Sequence, residues 1–127
     1  MEDLRGCAKF QRNFIWTAAF LLKPGGVLTY STCTINPMEN EENVKHALDM
    51  YPLELEFAPV HARIGRPGLE GFGLSVEQRQ MIQRFDPTDC ETVNDSIGFF
   101  VARFRKTMSM RDPRAVEKFW AARKDSQ

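Results

Sequence analysis

Apolar side chains recur at Phe10, Phe14, Ile15, Ala18, Leu21 and Leu22. These intervals of three and four predict one face of a helix over residues 10–22. Lys23-Pro24-Gly25-Gly26 ends it, because proline cannot extend the backbone ladder and glycine suits the turn. The period then changes. Val27-Leu28-Thr29-Tyr30-Ser31 is a short run that predicts a buried strand, so helix, tight turn and strand make half of a βαβ unit. Asn36-Pro37 predicts the next helix start, with Asn36 as N-cap, Pro37 at the first helical position and Glu39 reaching back as in a capping box. Val44, Ala47, Leu48 and Tyr51 carry that helix's apolar face, and Pro52 stops it. Leu53-Glu54-Leu55-Glu56-Phe57 alternates apolar and acidic residues, the signature of a half-exposed strand.

Gly65, Gly68, Gly71 and Gly73, with Pro67, make the next stretch a loop. The glycine spacing is not that of a dinucleotide fingerprint, so no phosphate cradle is expected there. Ser75 and Gln78 predict a second capping box, opening a short helix through Met81, Ile82 and Phe85 that Asp86-Pro87 ends. Residues 96–104, centred on Gly98-Phe99-Phe100-Val101, form the second strong strand signal. Val116, Phe119 and Trp120 suit a short amphipathic helix around residues 113–123. The pattern divides into a packed unit over residues 1–106 and a basic tail over 107–127.

A chain of 127 residues with 43% hydrophobic and 27% charged residues suits one globular domain with a real core. No apolar run approaches membrane-spanning length, so no membrane partner is expected. Cys7, Cys33 and Cys90 are odd in number and irregular in spacing, which argues for free thiols in a reducing compartment and against a disulfide framework or a zinc site. His46 and His61 have no ligand-spaced partners, so no metal is expected. The net charge of zero is unevenly spread. Residues 103–127 hold 8 of the 17 basic and 3 of the 17 acidic residues, a net of +5 against −5 for the rest. That tail, with Arg103, Arg105, Lys106, Arg111, Arg114, Lys118, Arg123 and Lys124, is either a solvated basic segment or a contact for phosphates.

Candidate chemistry concentrates at Tyr30-Ser31-Thr32-Cys33-Thr34, at the end of the first strand. A cysteine there is most often a small packing residue. Two features single Cys33 out: its flanks are polar, and the predicted helix start follows within about four residues, where a positive helix end favours thiolate. Glu39, Glu41 and Glu42 read as helix-start carboxylates favoured by the helix dipole, with Asn40 orienting the Cys33 loop. Arg84 fits a contact to RNA or the active site as well as it fits a structural ion pair.

The larger pattern, Lys23-Pro24-Gly25-Gly26-Val27-Leu28-Thr29-Tyr30-Ser31-Thr32-Cys33-Thr34 followed by Glu39-Asn40-Glu41-Glu42, resembles the Sun-domain (RsmB/Nop/Sun-type) RNA (cytosine-5) methyltransferases. Gly98-Phe99-Phe100 resembles the Gly-Phe-Phe of that family's last strand, and Arg84-Phe85-Asp86-Pro87 with the glycine-rich loop looks most like its tRNA-modifying subgroup. The resemblance implies an α/β fold, the C-terminal part of a Rossmann-like S-adenosylmethionine-dependent methyltransferase. This chain would supply strands five, six and seven (Val27–Ser31, Leu53–Phe57, Ile97–Phe104), the last antiparallel between the other two. It implies Cys33 as the residue that attacks cytosine C6, an RNA substrate (tRNA), and S-adenosyl-L-methionine as cofactor. Most of the cofactor site would lie in an N-terminal half not represented here, along with the Asp-x-Pro-Cys segment that carries a second cysteine. Cys7, in Leu4-Arg5-Gly6-Cys7-Ala8, does not match that segment, and Cys90 has no counterpart. Three readings stay open: part of an active transferase, inactive on its own; a short non-catalytic product acting by binding RNA or protein; or a redox thiol on an unrelated α/β domain. A cytoplasmic location is expected, with the nucleus and nucleolus as alternatives.

Overall fold

The computed structural model describes residues 2–88 and 97–125. Helix α1 (Glu2–Leu21) is followed by strand β1 (Val27–Thr32), helix α2 (Glu41–Met50), strand β2 (Leu53–Glu56), a single 3-10 turn at Val60–Ala62, helix α3 (Val76–Met81), strand β3 (Gln83–Phe85), strand β4 (Phe99–Lys106) and helix α4 (Pro113–Asp125). Strand β4 organises the sheet. One of its edges pairs antiparallel with the whole of β1, from Val27 opposite Arg105 to Thr32 opposite Phe100. Its other edge pairs antiparallel with β2 near Lys106 and with β3 near Phe99. The last long strand therefore lies between the other two, as the C-terminal part of a Rossmann-like methyltransferase sheet requires.

The core lies on one face of that sheet. Phe100, Ala102 and Phe104 alternate inward along β4 and meet Val44, Ala47, Leu48 and Tyr51 of α2, Ile15 and Ala19 of α1, Leu53 and Ile82. Lys106 ends β4 with its side chain buried. Its ammonium donates to the carbonyls of Phe20 (3.3 Å) and Leu22 (2.5 Å), where the last carbonyls of α1 lack helical partners. Burial of that ammonium lowers the Lys106 pKa, and the nearby Arg111 adds to the effect.

Five sequence expectations need correction, the first being that β1 is buried: its residues alternate between exposed and half-buried. The stripe predicted for α1 is really two: Ala8, Ile15 and Ala19 point into the core, whereas Phe10 (63% exposed), Phe14 (63%) and Leu21 (64%) face outward. Helix α2 starts at Glu41 rather than at Asn36-Pro37, because residues 37–40 form a separate turn. The short helix opened by the Ser75/Gln78 capping box forms as expected but ends at Met81, and Gln83–Phe85 turns into β3 instead of continuing it. Strand β4 runs from Phe99 to Lys106, two residues beyond the predicted end; Ile97 is 92% exposed and Gly98 adopts a φ of 91° that breaks the strand before it. The tail helix forms over Pro113–Asp125, with Phe119 and Trp120 beside Met50, Pro52 and Met110 around a small apolar gap. Cys90, Asp95 and Ser96 lie outside the described residues.

Candidate active site

Cys33 is exposed and is the first residue past β1. Residues 33–40 carry the chain from that strand end to the start of α2, and the surrounding structure pins this segment from three directions.

The first pin is Asn40, completely buried at the base of α2. Its Oδ1 accepts from the Thr32 hydroxyl at 2.5 Å, and its Nδ2 donates to the Thr34 carbonyl at 2.8 Å. One amide thus holds both neighbours of Cys33, the role the sequence assigned to it. The second pin is local. The Asn36 carboxamide oxygen accepts from Met38 N–H at 3.1 Å, and Asn36 N–H donates to the Thr34 hydroxyl at 3.1 Å. Asn36 therefore makes an Asx turn rather than a helix cap. Its Nδ2 is buried without a hydrogen-bond partner among the described residues.

The third pin is Arg84 on β3. Its Nη2 donates to the Ile35 carbonyl at 2.5 Å, while Nη1 donates to both carboxylate oxygens of Glu41 at 2.9 and 2.8 Å. Arg84 is 6% exposed and Glu41 is fully buried. The structure places Arg84 in a buried ion pair, and Glu41 is not a solvated helix-start carboxylate. Glu41 Oε1 also accepts from Leu69 N–H at 2.9 Å, so the same pair ties down the glycine-rich loop. Gly98 packs beside this turn, where an added Cβ would stand 3.2 Å from Ile35 Cγ2.

Beneath the turn, Tyr30 on β1 joins α1 to α2. Its single hydroxyl proton goes to the Glu39 carbonyl (2.5 Å), and Gln11 Oε1 (3.1 Å) and Asn43 Nδ2 (3.2 Å) lie within hydrogen-bond distance of the same oxygen. Asn43, fully buried, shares the two protons of Nδ2 among the Ala8 carbonyl, Gln11 Oε1 and the Tyr30 hydroxyl, and accepts from Arg12 Nε at 2.8 Å. Burial raises the Tyr30 pKa above its ordinary value, against a smaller lowering by the Asn43 hydrogen bond. Sequence reasoning passed over Gln11, Arg12 and Asn43. Their signal is polar residues on the inward stripe of two facing helices, visible only once that stripe is known.

The predicted electrostatic help for Cys33 is weaker than expected. Helix α2 begins at Glu41, eight positions beyond Cys33 rather than about four, and the dipole effect fades within a helix's first turn.

Cofactor-binding capacity is a separate question. The glycine-rich loop is buried only at Gly68, where a Cβ would meet Ile82 Cδ1 at 2.4 Å; Arg66, Pro67, Leu69, Glu70, Gly71 and Gly73 are exposed. The loop does not open a helix toward a ligand, so it is not itself a cradle for an adenosyl cofactor. A cavity of about 470 Å³ lies between α2, β2, α3 and α4, among Leu48, Leu53, Leu55, Met81 and Arg123, and takes no residue from the Cys33 segment. A cleft of about 250 Å³ lies beside Arg84, lined also by Arg66, Leu69 and Asp86. Among the described residues no group of three or more His, Cys, Asp and Glu side chains could hold a metal, and no helix is long and apolar enough to cross a membrane.

Comparison with known proteins agrees with this architecture. The family model described as 16S rRNA methyltransferase RsmB/F matches residues 1–105. The human protein tRNA (cytosine(72)-C(5))-methyltransferase NSUN6 is 44% identical over 129 residues, covering 86% of this chain and 27% of that protein. An rRNA (cytosine-C(5))-methyltransferase, NOP2C of Arabidopsis thaliana, is 43% identical over 112 residues, covering 80% of this chain and 18% of its own length. The crystal structure of a methyltransferase homologue from Pyrococcus horikoshii superposes with a TM-score of 0.71 at 36% identity, over 84% of this chain and 33% of that one. The chain thus spans between about a fifth and a third of the proteins it matches.

Proposed function

The chain belongs to the 16S rRNA methyltransferase RsmB/F family, and on that premise we propose that it is the C-terminal catalytic portion of an RNA cytosine-5 methyltransferase, with Cys33 as the nucleophile and tRNA as the substrate. The observation that carries this reading is the exposed Cys33 thiol, presented at the end of β1 on a segment whose flanks are fixed by a buried amide. Cytosine C5 is a weak nucleophile. Addition of the Cys33 thiolate to C6 forms a C–S bond and moves the ring electrons onto C5, which covalent catalysis needs before a methyl group can be accepted. Once C5 is methylated, loss of its proton to a base outside these residues restores the ring double bond and expels the thiolate. The base must be unstacked to meet Cys33, and the turn's exposure suits that. The methyl group comes from S-adenosylmethionine. We assign most of the site for that cofactor to parts of the complete enzyme outside this chain, since the glycine-rich loop here is not a cofactor cradle.

Replacement of Cys33 by Ala in the complete enzyme is expected to abolish the covalent complex with RNA carrying 5-fluorocytosine, which the unmodified enzyme forms. An adduct that survives in Cys33→Ala removes Cys33 from this role. Methyl transfer to rRNA fragments but not to tRNA transcripts would retain the chemistry and reject the substrate.

A second reading has one observation behind it. Without a cofactor cradle, the 127-residue chain alone fits a non-catalytic product that binds RNA or a protein partner. Methylation by the purified chain supplied only with S-adenosylmethionine and RNA would exclude it.

A further inference from the structure

We propose that Asn40 is the positioning residue of this site, holding the Cys33 thiol in line with the cytosine ring. This rests on the reading of Cys33 as the nucleophile. A nucleophile on a segment past a strand end must be held to within about an ångström of its attack geometry, and a displacement of about 1 Å costs roughly a hundredfold in rate. Cys33 cannot hold itself: its side chain is exposed, and the backbone ladder of β1 ends one residue earlier, where Thr32 pairs with Phe100. Asn40 anchors the far end of the segment. It is fully buried, and its backbone carbonyl accepts the first helical bond of α2 from Val44 at 3.0 Å.

Both halves of the Asn40 amide are used, each on a different side of Cys33. Oδ1 takes the Thr32 hydroxyl and Nδ2 reaches the Thr34 carbonyl. Among side chains of this size, asparagine presents a donor and an acceptor on two separate atoms, so each can face a different flank. Aspartate would place a carboxylate against the Thr34 carbonyl, and leucine would leave both flanks without partners. An N-cap role does not explain the arrangement, since the Asn40 side chain makes no capping bond to α2. Ile35, fixed by Arg84 Nη2, sets where the segment leaves the site. Asn40 sets the local orientation at the thiol.

The test measures single-turnover adduct formation with 5-fluorocytosine RNA by the complete enzyme, together with RNA affinity and Cys33 alkylation by iodoacetamide, with exposed Cys7 as internal reference. Asn40→Ala and Thr32→Val are expected to slow adduct formation by roughly a hundredfold. RNA affinity and alkylation should stay within about threefold, because neither depends on alignment with the base. Thr32→Ser, which keeps the hydroxyl, should recover most of the rate lost in Thr32→Val. Thr32→Val keeps side-chain volume at a half-buried strand end, so it reports even where Asn40→Ala folds poorly. Adduct formation at the unmodified rate in both variants, with Cys33→Ala inactive, overturns the Asn40 role and leaves the nucleophile standing. Equal slowing in Thr32→Ser and Thr32→Val, or a parallel loss of RNA affinity, also overturns it, since the effect is then structural. An adduct in Cys33→Ala overturns the nucleophile and this inference together.

Discussion

Strands β4 and β1 run side by side, yet they have opposite surroundings. Every second residue of β4 is sealed in the core: Phe100, Ala102 and Phe104 are at most 1% exposed, and both of its edges are hydrogen-bonded. Along β1 exposed and half-buried residues alternate, no side chain is fully buried, and the edge turned away from β4 has no partner among the described strands. The outward face of α1 shows the same character, with Phe10 and Phe14 exposed and meeting edge to face, 5.1 Å between centroids. The β4 side is finished structure. The β1 side presents exposed apolar rings and a strand edge unpaired among the described strands, and Cys33 stands at the end of that strand.

The largest effect should come from the finished side. Replacing Glu41 by Gln leaves the buried Arg84 guanidinium without its counter-charge and loosens Leu69 and Ile35 with it. Breaking such a pair costs about 3–5 kcal/mol, to be read as a lower denaturation midpoint in urea. A loss under about 1 kcal/mol would mean that this side is as solvated as β1 and would dissolve the contrast.

An intermediate effect is expected at Tyr30, on the inner face of β1. Tyr30→Phe removes the bond to the Glu39 carbonyl and the hydroxyl oxygen that Asn43 approaches, at about 1 kcal/mol near neutral pH. The pH dependence sharpens the test. Burial raises the Tyr30 pKa, so its stabilising contribution is complete below the ordinary phenol value of 10.0 and is lost as pH climbs through the raised folded-state value. Tyr51 shifts the same way and the buried Lys106 shifts downward. Both persist in the variant, so the difference between the two alkaline denaturation curves isolates Tyr30. Tyr30→Phe should flatten the loss of stability above about pH 10. An unchanged slope would place Tyr30 in water.

The smallest effect on stability, under about 0.5 kcal/mol, is expected for Thr29→Lys or Phe14→Ser on the open side. Their effect should appear in association instead. The unpaired β1 edge and the exposed Phe10 and Phe14 should make the chain self-associate at micromolar concentration, and a lysine on the edge should reduce this. Size-exclusion chromatography with light scattering decides it. A stable monomer that melts cooperatively would show that β1 needs no neighbour.

What the sequence made legible follows from how local each determinant is. The Ser75/Gln78 capping box is a pair three residues apart, and it forms as written. The apolar face of α2 and the existence of β4 depend on one element each and were readable. Failures occur where a distant partner decides. Gln83–Phe85 follows Met81 and Ile82 at helical spacing, but Gln83 Oε1 is claimed by Ile64 and Gly65 N–H groups and Arg84 by Glu41. Those partners pull the segment into β3. Asn36-Pro37 satisfies the local rule for a helix start, yet Asn40 is held by Thr32 and Thr34, so the helix waits until Glu41. The two stripes of α1 could not be ranked by periodicity, since which one is interior depends on where Asn43 and Tyr30 lie. Cys33 itself was legible as a motif. The amide that holds its flanks was legible only as a suggestion.

The sheet's wiring also dictates an order of events. Strands β1, β2 and β3 each pair with β4 and none pairs with another, so Val27 must wait for Arg105 and Leu53 for Lys106 before either gains a ladder partner within the described strands. During synthesis, at about 5–20 residues per second, helices α1 and α2 can form as they emerge, while β1, β2 and β3 wait for their β4 partner until residues 99–106 leave the ribosome. Any premature stop before residue 99 therefore yields a chain with none of these strand pairings, rather than a slightly smaller version of this one.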